Sequence, residues 1–197
     1  MAGAEMSIYR KVEVSMWGDE KFRRLTPLPP SGQSLWFYLL TGPHTGIMPG
    51  ISQIGRAALA ENLGWTPDAF AKAFHEVFRE GLAKGDWEAR VIWLPNAIKH
   101  NPPASPNVVT AWGRYFNLIP DCSIKVEAYN ATKSAIFGMK KPFIEAFGKA
   151  FCKPSYNPFA NPLPIQEQEQ EQTDAYQEEE SYKIDLYKKA AFVGVSQ

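Results

Sequence analysis

The sequence has few of the residues on which disulfide-rich, zinc-binding and membrane proteins depend. Among its 197 residues there are two cysteines and three histidines, and the formal net charge is zero. Cys122 and Cys152 are too few and too far apart for a disulfide framework or a structural zinc site, so we expect free thiols in a reducing cytoplasm. No run of about 18 apolar residues occurs, so no transmembrane helix is predicted. The first residues lack the apolar core of a signal peptide. We therefore expect a cytoplasmic protein without membrane contact.

Signatures of catalysis are equally scarce. His44 lies between Pro43 and Thr45 in a predicted loop, and no serine or cysteine has the context of a nucleophile. The Gly-rich segment from Thr41 to Gly50 lacks the Lys-Ser/Thr ending of a nucleotide-binding loop. The acidic residues before position 153 do not form the pairs of a two-metal nuclease. We expect neither enzymatic activity nor a cofactor.

The zero net charge is divided unevenly along the chain. Residues 1–152 carry 17 Lys and Arg against 13 Asp and Glu, a balance of +4, and residues 153–197 carry 4 against 8, a balance of −4. A modestly basic body with an acidic tail is compatible with nucleic-acid binding, although many domains that bind none have a similar balance.

Two consecutive helices are predicted in the middle of the chain. From Ser52 onward, apolar residues recur at helical spacing until Gly64, which is suited to a C-terminal cap. Thr66 is then a good N-cap and Pro67 favours the first helical position. Aromatic residues three and four apart in this second helix predict one buried face.

A hairpin is predicted directly after the second helix. The apolar run from Val91 to Leu94 has turn signals before it, at Gly85-Asp86 and from Glu88 to Arg90. Helix, three-residue turn, helix and hairpin is the order of a winged helix-turn-helix, in which the second helix enters a DNA groove and the hairpin flanks it.

The residues before this stretch predict a small N-terminal arrangement around one buried helix. Alternation from Lys11 to Trp17 predicts a short strand, and Gly18 to Leu25 a short helix. The prolines between Thr26 and Pro30 require a connector. Ser31 then caps a dense apolar block, which predicts a central, buried helix. A short strand is expected near Ile47 to Ile51.

Three further helices are predicted after the hairpin. Residues 101–106 hold three prolines and cannot form a regular helix or strand. Asn107 is a suitable cap for a helix that ends before Pro120. The ranges 123–137 and 142–151 each have apolar residues near helical spacing.

The composition changes abruptly beyond residue 152. We expect a disordered Pro-rich and Glu/Gln-rich linker over 153–181, because such a tract cannot bury enough apolar surface to offset its ordering entropy. Apolar residues return in a short C-terminal interaction peptide, 182–197, with Tyr182, Leu186 and Phe192 as candidate partner contacts. The predicted fold is therefore mainly α with a small β-hairpin. It comprises a winged-helix DNA-binding domain over 1–120, a helical extension packed on it over 121–152, and a disordered tail.

Several motifs in this order resemble a family of phage and prophage replication proteins with an N-terminal winged-helix domain. They are RKVEVSMWGDEKFRRL, WFYLLTGPHT with its Gly loop, AENLGW, and WLPNAIKHNPPASPNVVTAW, and together they cover roughly residues 9–120. The resemblance implies a replication-initiation protein that binds origin DNA in the bacterial host cell. It also implies that the protein brings a helicase or a helicase loader to that DNA, and the polar tether followed by a short peptide fits recruitment.

The second predicted helix carries the residues most suited to reading duplex DNA. Lys72, His75 and Arg79 share one face, opposite the aromatic face. The helix is not basic overall, since Asp68, Glu76 and Glu80 offset its cations, and a merely solvated face remains an alternative. Phosphate contacts need positive charge from elsewhere as well, and the further candidates are Lys84, Arg90, Arg56, Lys21, Arg23, Arg24 and Lys99.

Aromatic residues offer a second route to nucleic acid, by stacking on single-stranded bases. Most of them occupy helix or strand positions that need burial, and Trp87 in the hairpin is the best candidate for an exception. Two other functions stay open at this point: a phage transcriptional regulator, and a protein-interaction adaptor whose winged helix contacts protein. The near-neutral second helix favours the adaptor.

Overall fold

The computed structural model describes residues 9–155, which form a mainly helical fold with a small antiparallel sheet, as the sequence predicts. The predicted linker and C-terminal peptide lie outside these residues, except for positions 153–155. The helices are α1 (Glu20–Arg23), α2 (Gly32–Thr41), α3 (Arg56–Leu63), α4 (Pro67–Arg79), α5 (Ala97–His100), α6 (Pro106–Asn117), α7 (Ser123–Phe137) and α8 (Lys141–Ala150), preceded by a 3-10 helix at Val14–Gly18. The strands are β1 (Ile51–Gln53), β2 (Lys84–Asp86) and β3 (Val91–Trp93).

The helix-turn-helix, α3 followed by α4, is bounded by the predicted local signals. Gly64 ends α3 in the left-handed region, with φ of 67°, a conformation in which a side chain would be strained. The hydroxyl of Thr66 accepts a hydrogen bond from the Ala69 amide at 3.2 Å, and Pro67 stands at the start of α4. Gly64 therefore fixes the end of α3, and Thr66 and Pro67 fix the start of α4.

The three strands form one antiparallel sheet in the order β1-β3-β2. The central strand β3 is buried along its whole length, and its residues alternate between two hydrophobic clusters. Ile92 belongs to the cluster of the N-terminal helices. Val91 and Trp93 belong to the cluster formed with α6, α7 and α8. Each face of the sheet therefore packs against a different hydrophobic cluster, and helices cover both faces.

The two clusters divide the apolar residues in chain order. The N-terminal cluster contains Leu35 and Leu39 of α2, Leu59 of α3, and Phe70 and Val77 of α4, among others. The C-terminal cluster is made chiefly by α6, α7 and α8 together with β1 and β3. Because both clusters use the sheet, the C-terminal helices help to hold the strands that follow the helix-turn-helix.

Several local predictions are wrong. The alternating residues from Lys11 to Trp17 do not form a strand, and a 3-10 helix covers Val14–Gly18 instead. Alternation alone cannot make a strand where no neighbouring strand supplies hydrogen-bond partners. Gly85 and Asp86 lie within β2, and the connection to β3 is formed by residues 87–90 alone.

The other corrections concern helix ends. The N-cap of α6 is Ser105, and Pro106 occupies the first turn, so Asn107 lies one step inside the helix. Proline is favoured at this first position because its missing N–H would have no partner there. Just before the proline-containing segment 101–106 lies the short helix α5, of which His100 is the last residue. The β1 strand begins at Ile51, where the predicted strand ends.

Candidate nucleic-acid interface

The surface of α4 is decided by how this helix packs. Its residues Phe70, Ala73, Phe74 and Val77 are buried and belong to the N-terminal cluster. The helix packs against α2 and α3. One side of α4 is therefore unavailable to any ligand, and the opposite side remains open.

Of the three acidic residues in α4 and at its C-cap, two turn towards the chain segment that precedes α2. Glu76 accepts hydrogen bonds from the backbone N–H and the hydroxyl of Thr26, at 2.8 and 2.9 Å. The side chain of Glu80 is 8% exposed, and its carboxylate lies 2.7 Å from the guanidinium of Arg24. Asp68, in the first turn, is the acid that stays exposed.

The open side of α4 is consequently more basic than the helix composition indicates. We call four of the exposed residues of α4, namely Asp68, Ala71, Lys72 and Arg79, the α4 face. The ammonium group of Lys72 makes no hydrogen bond or ion pair with any residue of 9–155. Arg79 lies 3.8 Å from Glu80 and is 58% exposed. Two cations and one acid thus remain available to a ligand.

His75 departs from the arrangement that its spacing predicts. The residue is half-buried, and its Nε2 atom is buried without a hydrogen-bond partner among the described residues. This nitrogen is therefore not exposed to a ligand as Lys72 and Arg79 are.

A cluster of cations surrounds the C-terminal end of α4. Arg24 and Arg79 both contact Glu80, and the Lys21 ammonium lies beside Gly81, the second residue after the helix. The hydrogen bond from Arg24 is the main reason that the pKa of Glu80 is lowered, and it raises the pKa of Arg24 in turn. Positive charge is stabilised at a helix C-terminus by the macrodipole. Arg23, on the same short helix α1, is exposed.

Two further predicted cations lie where α3 meets the sheet. Arg56 is the exposed first residue of α3. Arg90 is exposed at the end of the hairpin connection and has φ of 56°, which is uncommon for a residue with a side chain. Its carbonyl accepts a hydrogen bond from the Ile54 amide at 2.7 Å, and its side chain passes beside Gly55. Arg56 and Arg90 are therefore held near each other by the first residues of α3.

The hairpin does not project as a free wing. Lys84 forms an ion pair with Glu127 of α7 at 2.6 Å, and its ammonium lies 5.8 Å from the centre of the Trp93 ring. Trp87 packs edge-on against Phe74, with 4.6 Å between ring centres. Lys84 is thus neutralised, and Trp87 is not the open stacking surface that the sequence predicts.

Lys99 lies in a separate polar contact between α5 and the N-terminal segment. It is exposed and lies near the Glu13 carboxylate. His100 contacts the same carboxylate at 3.1 Å, and this hydrogen bond is the main reason that the pKa of Glu13 is lowered. Because Glu13 offsets the positive charge here, Lys99 is a weaker phosphate candidate than Lys72.

Trp17 is an exposed aromatic residue that the sequence does not single out. It is 61% exposed, more than any other of the six tryptophans. No motif in the alternating segment from Lys11 to Trp17 identifies it as a contact residue. The exposure follows from the 3-10 turn that forms in place of the predicted strand.

The remaining predicted contacts, Tyr182, Leu186 and Phe192, lie outside the described residues. Among residues 9–155, no helix is long and apolar enough to cross a membrane, and no three His, Cys, Asp or Glu side chains are grouped as metal ligands. Comparison of the chain with protein-family models, with curated proteins and with solved structures finds no match.

Proposed function

We propose that this protein binds duplex DNA through the α4 face. The observation that carries the proposal is the inward orientation of Glu76 and Glu80, which leaves Lys72 and Arg79 with a single exposed acid, Asp68. An α-helix fits the major groove, where cationic side chains recognise base edges and phosphates. The neutral composition of the helix therefore does not argue against a DNA-binding surface.

The cations around this face would supply phosphate contacts. Lys21 and Arg23 lie on α1, and the Lys21 ammonium is beside Gly81 after the end of α4. Arg56 is the first residue of α3, and the Arg90 side chain lies beside Gly55, which precedes it. Contacts to phosphate position a protein on the duplex without reading its sequence. The full set thus provides one surface for recognition and two flanking regions for affinity.

The resemblance to phage replication proteins supports a role in replication initiation. In this proposal the helix-turn-helix binds origin DNA, and the C-terminal peptide recruits a replicative helicase or its loader through Tyr182, Leu186 and Phe192. Short apolar anchors after a polar tether suit docking in a groove of a partner. Deletion of residues 182–197 should then abolish partner binding without changing DNA affinity.

A second candidate function is supported by the packed hairpin. A winged helix that binds DNA commonly uses the hairpin beside its recognition helix, whereas Lys84 and Trp87 are engaged by Glu127 and Phe74. This arrangement favours an adaptor whose helix-turn-helix contacts another protein. The two functions differ in whether duplex DNA binds in a salt-dependent manner.

The deciding experiment measures duplex DNA binding by the Lys72→Ala/Arg79→Ala variant at several salt concentrations. Each lost base contact should weaken specific binding by about 1–3 kcal/mol, and each lost phosphate contact should reduce the salt slope by about one unit. Lys149→Ala is the matched control, because it removes an exposed cation from α8. Unchanged binding in the double variant, or no duplex binding by the wild type, would refute the proposal and favour the adaptor.

A further inference from the structure

Among the tryptophans of residues 9–155, Trp17 is the one that the fold leaves exposed. All six tryptophans lie within the described residues. Trp93 and Trp112 are buried, and Trp36, Trp65 and Trp87 are partly buried against the N-terminal cluster. An indole that is 61% exposed keeps enough free surface for a planar ligand to stack on it.

The indole packs against the buried Phe22 and the partly buried Phe37. Its ring meets Phe22 in an edge-to-face arrangement, with 5.4 Å between centres and 87° between planes. Phe37 of α2 lies at 5.9 Å. Since Phe22 is 1% exposed, the tryptophan rests on a fixed part of the core. Stacking a ligand on such a ring would cost little additional side-chain entropy.

Positive charge lies on the helix that supports this ring. Lys21 and Arg23 flank Phe22 in α1 and are both exposed. The guanidinium of Arg23 makes no hydrogen bond or ion pair with any residue of 9–155.

Acidic residues are also present around the indole, but most of them have partners. Asp19 accepts a hydrogen bond from the Phe22 amide at 3.0 Å, and Glu13 contacts His100. Glu20 is exposed and lies 3.8 Å from Arg24. Arg23 and Lys21 therefore remain the cations available to a ligand.

We infer that Trp17 stacks on an unpaired nucleobase while Lys21 and Arg23 contact the adjacent phosphates. An aromatic platform beside cations is the usual composition of a single-strand binding surface. The inference rests on the proposed function and extends it: α1 lies at the C-terminal end of α4, so a single strand would leave the α4 face along this helix. The protein would then hold both duplex and locally opened DNA.

The charge next to the ring distinguishes this ligand from a protein partner. The exposed large apolar residues of this segment are Val12 and Val14 besides Trp17, and exposed cations follow them in α1. A stable protein interface needs about 800 Å² on each partner. An exposed indole with two cations on the adjoining helix instead suits a base with its phosphates.

The test measures binding of fluorescein-labelled oligothymidylate of about 20 nucleotides to the full chain. Trp17→Ala should weaken binding between about 5-fold and 150-fold, the range for loss of one base-stacking side chain. Trp17→Phe should retain most of the affinity. Leu118→Ala, which removes an exposed apolar side chain at the end of α6, is the matched control and should bind as the wild type does. Oligouridylate is measured in parallel to compare RNA with DNA. Equal binding extends the inference to unpaired bases in both DNA and RNA.

Four results would overturn the inference. They are absence of oligothymidylate binding by the wild type, unchanged binding by Trp17→Ala, equal losses in Trp17→Ala and Trp17→Phe, and equal losses on single-stranded and duplex DNA. Thermal unfolding of each variant separates lost stacking from lost packing against Phe22. Failure of the proposed function would be seen in a different measurement. It would appear as unchanged duplex binding by Lys72→Ala/Arg79→Ala, whatever the effect of substitutions at Trp17.

Discussion

The same substitution at two helix glycines should have opposite effects on stability. Gly113 in α6 lies against α8, and a methyl group there would approach the Ala150 Cβ at 2.7 Å and its backbone carbonyl atoms at 2.8 Å. Gly148 in α8 is exposed, and a methyl group there would meet nothing within 4 Å. Both positions are helical, so the intrinsic preference for alanine is the same at both.

The magnitudes follow from these two environments. At Gly148, alanine should stabilise the protein by roughly 0.5–1 kcal/mol, because glycine loses more conformational freedom on folding. At Gly113 that gain is opposed by overpacking against backbone, which typically costs about 1–3 kcal/mol. Asn117 restrains α8 from shifting, since its amide donates to the Ala150 carbonyl at 2.9 Å. Gly113→Ala should therefore be destabilising by about 1–2 kcal/mol.

Urea and thermal unfolding of the two variants measure this difference directly. For a chain of this size, each kcal/mol shifts the Tm by about 2–4 °C. The two variants should therefore move the Tm in opposite directions. If Gly113→Ala stabilises the protein as much as Gly148→Ala does, then α6 and α8 pack less closely than these distances indicate. That result would refute the predicted destabilisation.

Two other predictions concern α4 and the loop after α2. Thr66→Ala removes the hydroxyl that caps α4 and should lower the unfolding free energy by about 1 kcal/mol. Thr66→Ser keeps a hydroxyl at this position and is the control that should retain the stability. An unchanged urea midpoint in Thr66→Ala would show that the cap contributes nothing. Burial lowers the pKa of His44, and the nearby Leu39 carbonyl opposes this effect. The unfolded chain therefore binds the proton more readily than the folded one, and stability present above pH of about 6.5 should be lost as the pH falls below it. His44→Gln should remove that part of the pH dependence, and an unaltered pH profile of the urea midpoint would contradict the assignment.

Local signals were sufficient to predict the helix-turn-helix. Thr66 and Pro67 start α4, and Gly64 ends α3. These signals act through hydrogen bonds and backbone preferences that span only a few residues, so they operate in almost any tertiary context. The same holds for α7, whose predicted range 123–137 agrees with the structure.

Local signals failed where a partner distant in sequence decides the outcome. Lys11 to Trp17 alternate as a strand does, yet the fold offers this segment no strand to pair with, and a 3-10 turn forms. Trp87 was expected to be open and is covered by Phe74, whereas Trp17 is exposed. Periodicity in the sequence indicates which residues share one face of a helix or strand, but it does not indicate which part of the protein that face contacts.

The charge of the α4 face is the clearest case in which residues distant in sequence decide the outcome. Counting along the sequence gives Lys72 and Arg79 against three acids, which makes the helix look unsuited to DNA. In the structure, Glu76 bonds to Thr26 across 50 positions of sequence, and Glu80 pairs with Arg24 across 56. Both carboxylates keep their negative charge, but that of Glu80 is paired with Arg24 and that of Glu76 is directed at Thr26. Composition determines how many charges a helix carries, but long-range packing determines which of them remain on its surface.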